Sequence, residues 1–160
     1  MNNQPLPERK RLPHQIPAWV PEGARYFITV NCRARGRNQL CQAGVAEALL
    51  SSVEIYETLD HWYPWLLVVM PDHVHLIASF NREQGLQQVM AAWKGYHAKH
   101  HGIDWQSGFF EHRLRSSAEF VEKAAYVRLN PVRKGLAANA SEWPYLWERP
   151  ADRNASAPSA

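Results

Sequence analysis

His73-Val74-His75 is the part of the sequence best equipped for chemistry. It follows the apolar run Leu66-Leu67-Val68-Val69-Met70 and the break Pro71-Asp72, and it opens a second β-rich run ending at Phe80. In a strand, residues two apart project from the same face, so both imidazoles point one way while Val74 and Leu76 point the other. Two neutral imidazoles side by side suit a divalent metal; the alternative is the polar face of an edge strand. Two histidines hold a metal loosely, so a third ligand and a nucleophile or general base are expected nearby. Tyr96 and Tyr126 are the candidates, and helical phase separates them. Tyr96 falls on the stripe of Val89 and Trp93 and reads as a core or boundary aromatic. Tyr126 falls among Glu119, Glu122, Lys123 and Asn130, away from Phe120, Ala124 and Val127. Asn130 follows Tyr126 by four residues and so shares its helical face. An amide oxygen beside two imidazoles suits Mg²⁺ or Mn²⁺ better than a structural zinc. Such a centre would polarise a phosphodiester while Tyr126 attacks phosphorus and forms a covalent phosphotyrosine. A free phenol has a pKa of about 10, so the nucleophile needs activation, by the metal or by a cation such as Lys123.

The elements that must position these residues are legible in outline. Tyr26 to Cys32 reads as a strand rich in aromatic and β-branched residues. Val45 to Leu59 has helical periodicity, with Val45, Leu49, Ser52, Val53 and Tyr56 on one stripe. The stretch around Pro71-Asp72 reads as a β-hairpin. Leu86 to His100 is a second helix, ended by Gly102 as a C-terminal cap. Trp105 to Arg115 is a turn and then a short extended segment. Ser116 or Ser117 caps a third helix, with Glu119 or Glu122 early in it, and Pro131 stops it near Asn130. Strand, helix, hairpin, helix, short strand, helix predicts an α/β (α+β), ferredoxin-like two-layer sandwich: a mainly antiparallel sheet with helices packed on one face. Three divisions follow: a basic proline-rich arm over 1–24, a catalytic domain over 25–148, and a disordered tail over 149–160.

Composition narrows the function classes. The 160 residues fit one domain, and 46% hydrophobic content supports a core. No apolar run is long enough to span a membrane, and no secretory leader is recognised at the N-terminus. Cys32 and Cys41 lack metal-type spacing and read as free thiols of a cytoplasmic protein. The net charge is only +3, but the cations cluster before and after the His-x-His region. Arg82 alone separates the basic segments, a distribution that suits a polyanion lying around a neutral centre. A solvated basic surface is the alternative. Arg33, Arg35, Arg37, Arg113, Arg115, Arg128, Arg133 and Lys134 are candidate phosphate ligands, as are Lys123 and the arm residues Arg9, Lys10 and Arg11. Trp105 and Trp147 are candidates for stacking on unpaired bases.

The run Val69-Met70-Pro71-Asp72-His73-Val74-His75-Leu76 resembles the His-hydrophobic-His signature of single-tyrosine transposases that act on single-stranded DNA. Trp105-Gln106-Ser107-Gly108-Phe109-Phe110, Tyr126 through Leu136, and Ser141-Glu142-Trp143-Pro144-Tyr145 resemble the REP-associated tyrosine transposases in particular. The resemblance covers roughly residues 24–147. It implies a ferredoxin-like fold and a divalent-metal (Mg²⁺ or Mn²⁺) endonuclease and strand transferase. The implied partner is single-stranded DNA carrying palindromic REP-type hairpins. On the family pattern His73 and His75 match the metal ligands, Tyr126 the nucleophile, and Asn130 the third ligand. Asp72 departs from it, standing where the family more often has asparagine. A monomer is expected, with a dimer as the alternative because simpler relatives pair their active sites.

Two other readings are weighed. Histidine-triad-like nucleotide hydrolases also carry alternating histidines, but Ile77 stands where the third histidine belongs. A non-catalytic single-stranded or hairpin nucleic-acid-binding module on the same fold would have lost the reaction, whereas here the ligands and nucleophile survive together.

Overall fold

A computed structural model describes residues 18–151; Arg9, Lys10 and Arg11 and the tail beyond Ala151 lie outside the described residues. Five strands form one antiparallel sheet: β1 (Arg25–Asn31), β2 (Trp62–Val69), β3 (His73–Phe80), β4 (Phe110–Leu114) and β5 (Leu146–Glu148). Their spatial order is β4-β1-β3-β2-β5. The first four give the ferredoxin-like order, and β5 extends the sheet past β2. β5 was not expected, because three residues of an aromatic segment carry no period of their own.

β3 is the central strand, and all eight of its residues are buried. That removes the edge-strand reading of His73 and His75. Its Val74, Leu76, Ala78 and Phe80 join one core together with Leu49 and Val53 of α1 (Val45–Thr58) and with Val89, Met90 and Trp93 of α2 (Leu86–His101). Its Ile77 joins a second core on the other face, with Phe27, Val68, Leu114, Ala124 and Val127. The helices expected on one face are therefore α1 and α2. The third helix, α3 (Ser117–Arg128), packs on the opposite face, where the period-2 alternation of β3 sends the histidines.

Local chemistry sets the ends of α3. Ser116 is its N-cap and accepts a hydrogen bond from the Glu119 backbone N–H, a contact typically worth about 1 kcal/mol. Leu129 closes the helix, and the chain makes one further turn, α4 (Asn130–Arg133), with Pro131 in its first positions, where its missing N–H costs nothing. The expected stop before the proline is found, but the one-turn restart swings Asn130 inward.

The β2–β3 hairpin turns at Pro71-Asp72 as expected, with Val69 opposite Val74. The closing aromatic motif fastens onto it: the Trp143 indole N–H donates to the Val69 carbonyl at 3.0 Å, and the Val69 N–H donates to the Tyr145 carbonyl at 2.9 Å. The described end of the N-terminal arm is tied to the sheet: Val20 is buried and Ser79 Oγ donates to the Gly23 carbonyl. Among the described residues, no helix is long and apolar enough to cross a membrane.

Candidate active site

Register brings the site together. β1 and β3 pair so that Thr29 faces His75 and Asn31 faces His73. The two imidazoles lie side by side, ring centroids 4.8 Å apart, and both residues are only 6% exposed. His73 Nδ1 is 2.7 Å from an Asp72 carboxylate oxygen. A carboxylate can only accept, so Nδ1 carries the proton and Nε2 keeps its lone pair. His75 has Nδ1 2.9 Å from Thr29 Oγ1 and Nε2 2.6 Å from the Asn130 amide nitrogen. Phe27 stacks on the His75 ring at 5.4 Å.

Burial fixes the charge state of this pair. It pushes His75 down to about 3, assisted by the positive field of His73, Lys123, Arg133 and Arg35. It also pushes His73 below its ordinary value, against the pull of Asp72. Both rings are therefore neutral at physiological pH, the form that ligates metals. Burial works against ionisation of Asp72 as well. The hydrogen bonds from the Gly36 N–H and from His73, with the Arg35 charge, outweigh burial and hold its carboxyl below the usual range. Gly36 aims its N–H at Asp72 Oδ2, 2.7 Å away, from a left-handed φ of 78° that disfavours other residues.

Asp72 thus has a structural role that its sequence position left open. It orients His73 as a carboxylate–histidine pair and anchors the Arg35 loop, whose guanidinium also reaches Asn31 Oδ1 at 2.7 Å. Two neutral imidazoles and an amide, with the imidazole protons directed away on Nδ1, fit a divalent ion. Among the described residues no group of three or more His, Cys, Asp or Glu could hold one; the Asn130 amide stands beside the pair with its nitrogen toward His75 Nε2, and its oxygen would face an ion there after the side-chain amide is turned over.

Tyr126 sits at the edge of this cluster, 45% exposed, its ring 6.4 Å from that of His75 and roughly perpendicular to it. Lys123 Nζ lies 5.1 Å from the centre of the phenol ring and the Arg133 guanidinium 3.9 Å. Arg133 also donates to the Tyr126 carbonyl. These cations are placed to offset negative charge on the phenol oxygen or on a phosphate in front of it. Tyr96 differs from expectation. It is 52% exposed and stacks with His100 instead of entering the core. The buried stripe of α2 runs Val89, Met90, Trp93 and His97, and Tyr96 stands one residue, about 100° of helix, away from it.

The candidate DNA-binding residues divide. Arg35, Lys123, Arg133 and Lys134 bear electrostatically on the histidine pair. Arg33 is paired with Asp104, and Arg128 makes a two-pronged pair with Glu148, so neither guanidinium stands free. Arg37 is exposed in the loop after β1. Arg113 and Arg115 lie at the far end of β4. Trp105 is not a free stacking surface: it is 7% exposed and packs against Trp93. Phe110, 56% exposed and edge-on to Phe27, is the exposed aromatic beside the site. Sequence reasoning missed Thr29, Phe27 and Phe110, whose roles follow from strand pairing and leave no local signal. Burial pushes the Cys32 and Cys41 thiols up to about 11 and about 12, so both are inert as nucleophiles.

Comparison with known proteins agrees with the resemblance read from the motifs. No family model matches the chain. It is 26% identical over 133 residues to the REP-associated tyrosine transposase of Escherichia coli (strain K12), covering 78% of this chain and 76% of that protein. A second curated relative, from Haemophilus influenzae, is 23% identical over 145 residues, covering 78% of this chain and 79% of that one. The fold is that of a solved REP-associated tyrosine transposase bound to a REP hairpin, with a TM-score of 0.68, 24% identity, and coverage of 82% of this chain and 81% of the other.

Proposed function

We propose that this chain, similar in sequence and fold to REP-associated tyrosine transposases, binds single-stranded DNA folded into REP-type hairpins. On this reading it cleaves and rejoins that DNA through a covalent 5′-phosphotyrosine on Tyr126. The observation that supports it best is the meeting, on one face of the sheet, of two neutral oriented imidazoles, the Asn130 amide and an exposed tyrosine flanked by two cations.

His73, His75 and Asn130 would hold Mg²⁺ or Mn²⁺. Bound there, the ion supplies Lewis-acid polarisation of the scissile phosphate. The chain's own residues do the rest. Asp72 fixes the tautomer of His73, and Asp72 and Thr29 hold the two rings in orientation. Lys123 and Arg133 draw the phosphate toward Tyr126 and stabilise the phenolate as its proton departs to solvent. The Tyr126 oxygen forms a bond to phosphorus as the bond to the 3′ oxygen breaks, and that oxygen leaves as a hydroxyl after taking up a proton. Attack by a 3′ hydroxyl on the phosphotyrosine reverses these changes and rejoins the strand. Arg35, Arg37 and Lys134 contribute affinity that falls with salt.

The test is incubation of labelled single-stranded hairpin DNA with protein and Mg²⁺ or Mn²⁺, followed by a denaturing gel. A covalent adduct is expected with the wild-type chain and none with Tyr126→Phe, while that variant still retains the hairpin. Adduct formation by Tyr126→Phe would remove Tyr126 from its role. Hairpin retention with no adduct from the wild type would identify a binding module without the reaction.

A further inference from the structure

The end of β4 remote from the histidines, together with the turn leading into β1, surrounds a cavity of about 490 Å³. Its walls include Trp19, Arg25, Arg113, Arg115 and Ser116. Trp19 is 74% exposed, the most exposed large hydrophobic residue described. The Arg113 guanidinium leans on its indole at 5.2 Å and leaves most of the ring to solvent. Arg25 is held between Trp65 and Phe120, its guanidinium 4.8 and 4.5 Å from their ring centres. Among the described residues none of Arg25, Arg113 and Arg115 forms an ion pair. An exposed tryptophan leaves apolar surface in water and contributes nothing to the core; ring faces partly offset Arg25 and Arg113, but with no carboxylate partner among the described residues the three like charges still repel one another. Together they describe a site for a ligand with a planar aromatic part and a negative charge, the chemistry of a nucleotide.

Position argues for a nucleotide within a strand. Thr29, opposite His75, also faces Phe110 of β4, whereas Arg25 faces Leu114. Four residues of strand separate these pairs, about 14 Å at some 3.4 Å per residue, a span of a few nucleotides. The open cavity offers a base one indole and no enclosure, which binds a free nucleotide weakly. A base tethered to DNA already held elsewhere arrives at a high effective concentration.

Resting on the hairpin-binding reading above, we propose that this cavity is a second DNA site. It seats one unpaired nucleotide of the strand that continues from the hairpin, its base on Trp19 and its phosphate on Arg113 and Arg115. The exposed position of Trp19 makes its substitution benign to the fold.

The test measures binding of three DNAs at fixed salt: a hairpin with a six-nucleotide unpaired tail, the same hairpin blunt, and the tail alone. Trp19→Ala is expected to weaken binding of the tailed hairpin by about 10- to 100-fold, the range for one stacked base, and to leave the blunt hairpin unchanged. Trp19→Phe should retain most of the affinity. Arg113→Ala should lower the salt slope by about one, for tailed DNA only. Equal losses on both hairpins, or no loss on the tailed one, would overturn the proposal. So would dAMP that binds in the micromolar range and competes with tailed DNA, because the cavity would then be a free-nucleotide site. The tail alone separates this site from the hairpin reading. Trp19-dependent binding of the tail by a protein that ignores hairpins retains the site and removes that reading; hairpin binding indifferent to Trp19 does the reverse.

Discussion

Histidines are buried on both sides of the sheet, and the two groups are treated differently. On one side, His73 and His75 of β3 each have Nδ1 within hydrogen-bond distance of an oxygen. On the other, His97 of α2 is 1% exposed, and neither ring nitrogen has a partner among the described residues. It packs between Trp93 and a stacked His101, its ring centroids 4.8 and 5.4 Å from theirs. Burial lowers the two sites alike, His75 to about 3 and His97 to about 4, the latter also pushed by His101 and His100. Neutrality is therefore not what distinguishes a candidate ligand. Orientation is: hydrogen-bonded partners fix which nitrogen carries the proton and where the other points, and His97 has no such partner.

Substitution at the two places should separate them most clearly in the nicking assay. His75→Ala is expected to lose hairpin cleavage to background with hairpin retention preserved, whereas His97→Leu should cleave at the wild-type rate. A cleavage defect in His97→Leu without a fall in melting temperature would break the distinction.

Asp72→Asn sharpens it further. The amide cannot supply the full negative charge that holds the His73 proton on Nδ1, and loss of such an outer partner costs about 10- to 100-fold in metal affinity. Titration of Mn²⁺ into the variant should show that shift. Unchanged affinity would confine Asp72 to the turn.

The smallest effect is on stability. Replacing His97 by leucine removes two unpartnered polar atoms and should stabilise the protein by about 1–2 kcal/mol in urea. The pH dependence gives a second readout. With a folded-state value near 4 and an unfolded one of about 6.5, the unfolded chain binds more protons between these limits. The stability from neutral His97 is thus fully present above about pH 6.5 and is lost as pH falls toward 4. His97→Leu should flatten that part of the profile. The slope that continues toward pH 3, carried by His75 in the metal-free protein, should persist.

Much of this was open to a reader of the sequence. Strand period placed His73 and His75 on one face because side chains alternate whatever the strand pairs with. Helical phase put Tyr126 on the polar side of α3 for a similarly local reason. Gly102, Ser116 and Pro131 marked ends because their backbone chemistry acts within a few residues. Tyr96 shows where that reasoning thins out: one residue, about 100° of helix, separates core from solvent, and only packing fixes the rotation.

The rest depends on contacts between residues far apart in the chain. That β3 is central, that α3 crosses to the histidine face, and that Thr29 meets His75 across 46 positions follow from how strands order and register. The site likewise needed the turn after α3 to swing Asn130 onto His75, 55 positions away. Pairing of Arg128 with Glu148 and burial of Trp105 withdrew residues that composition alone would have offered to DNA. Residue types and local periods are written in the sequence; partners are chosen only when the surfaces that carry them are packed together.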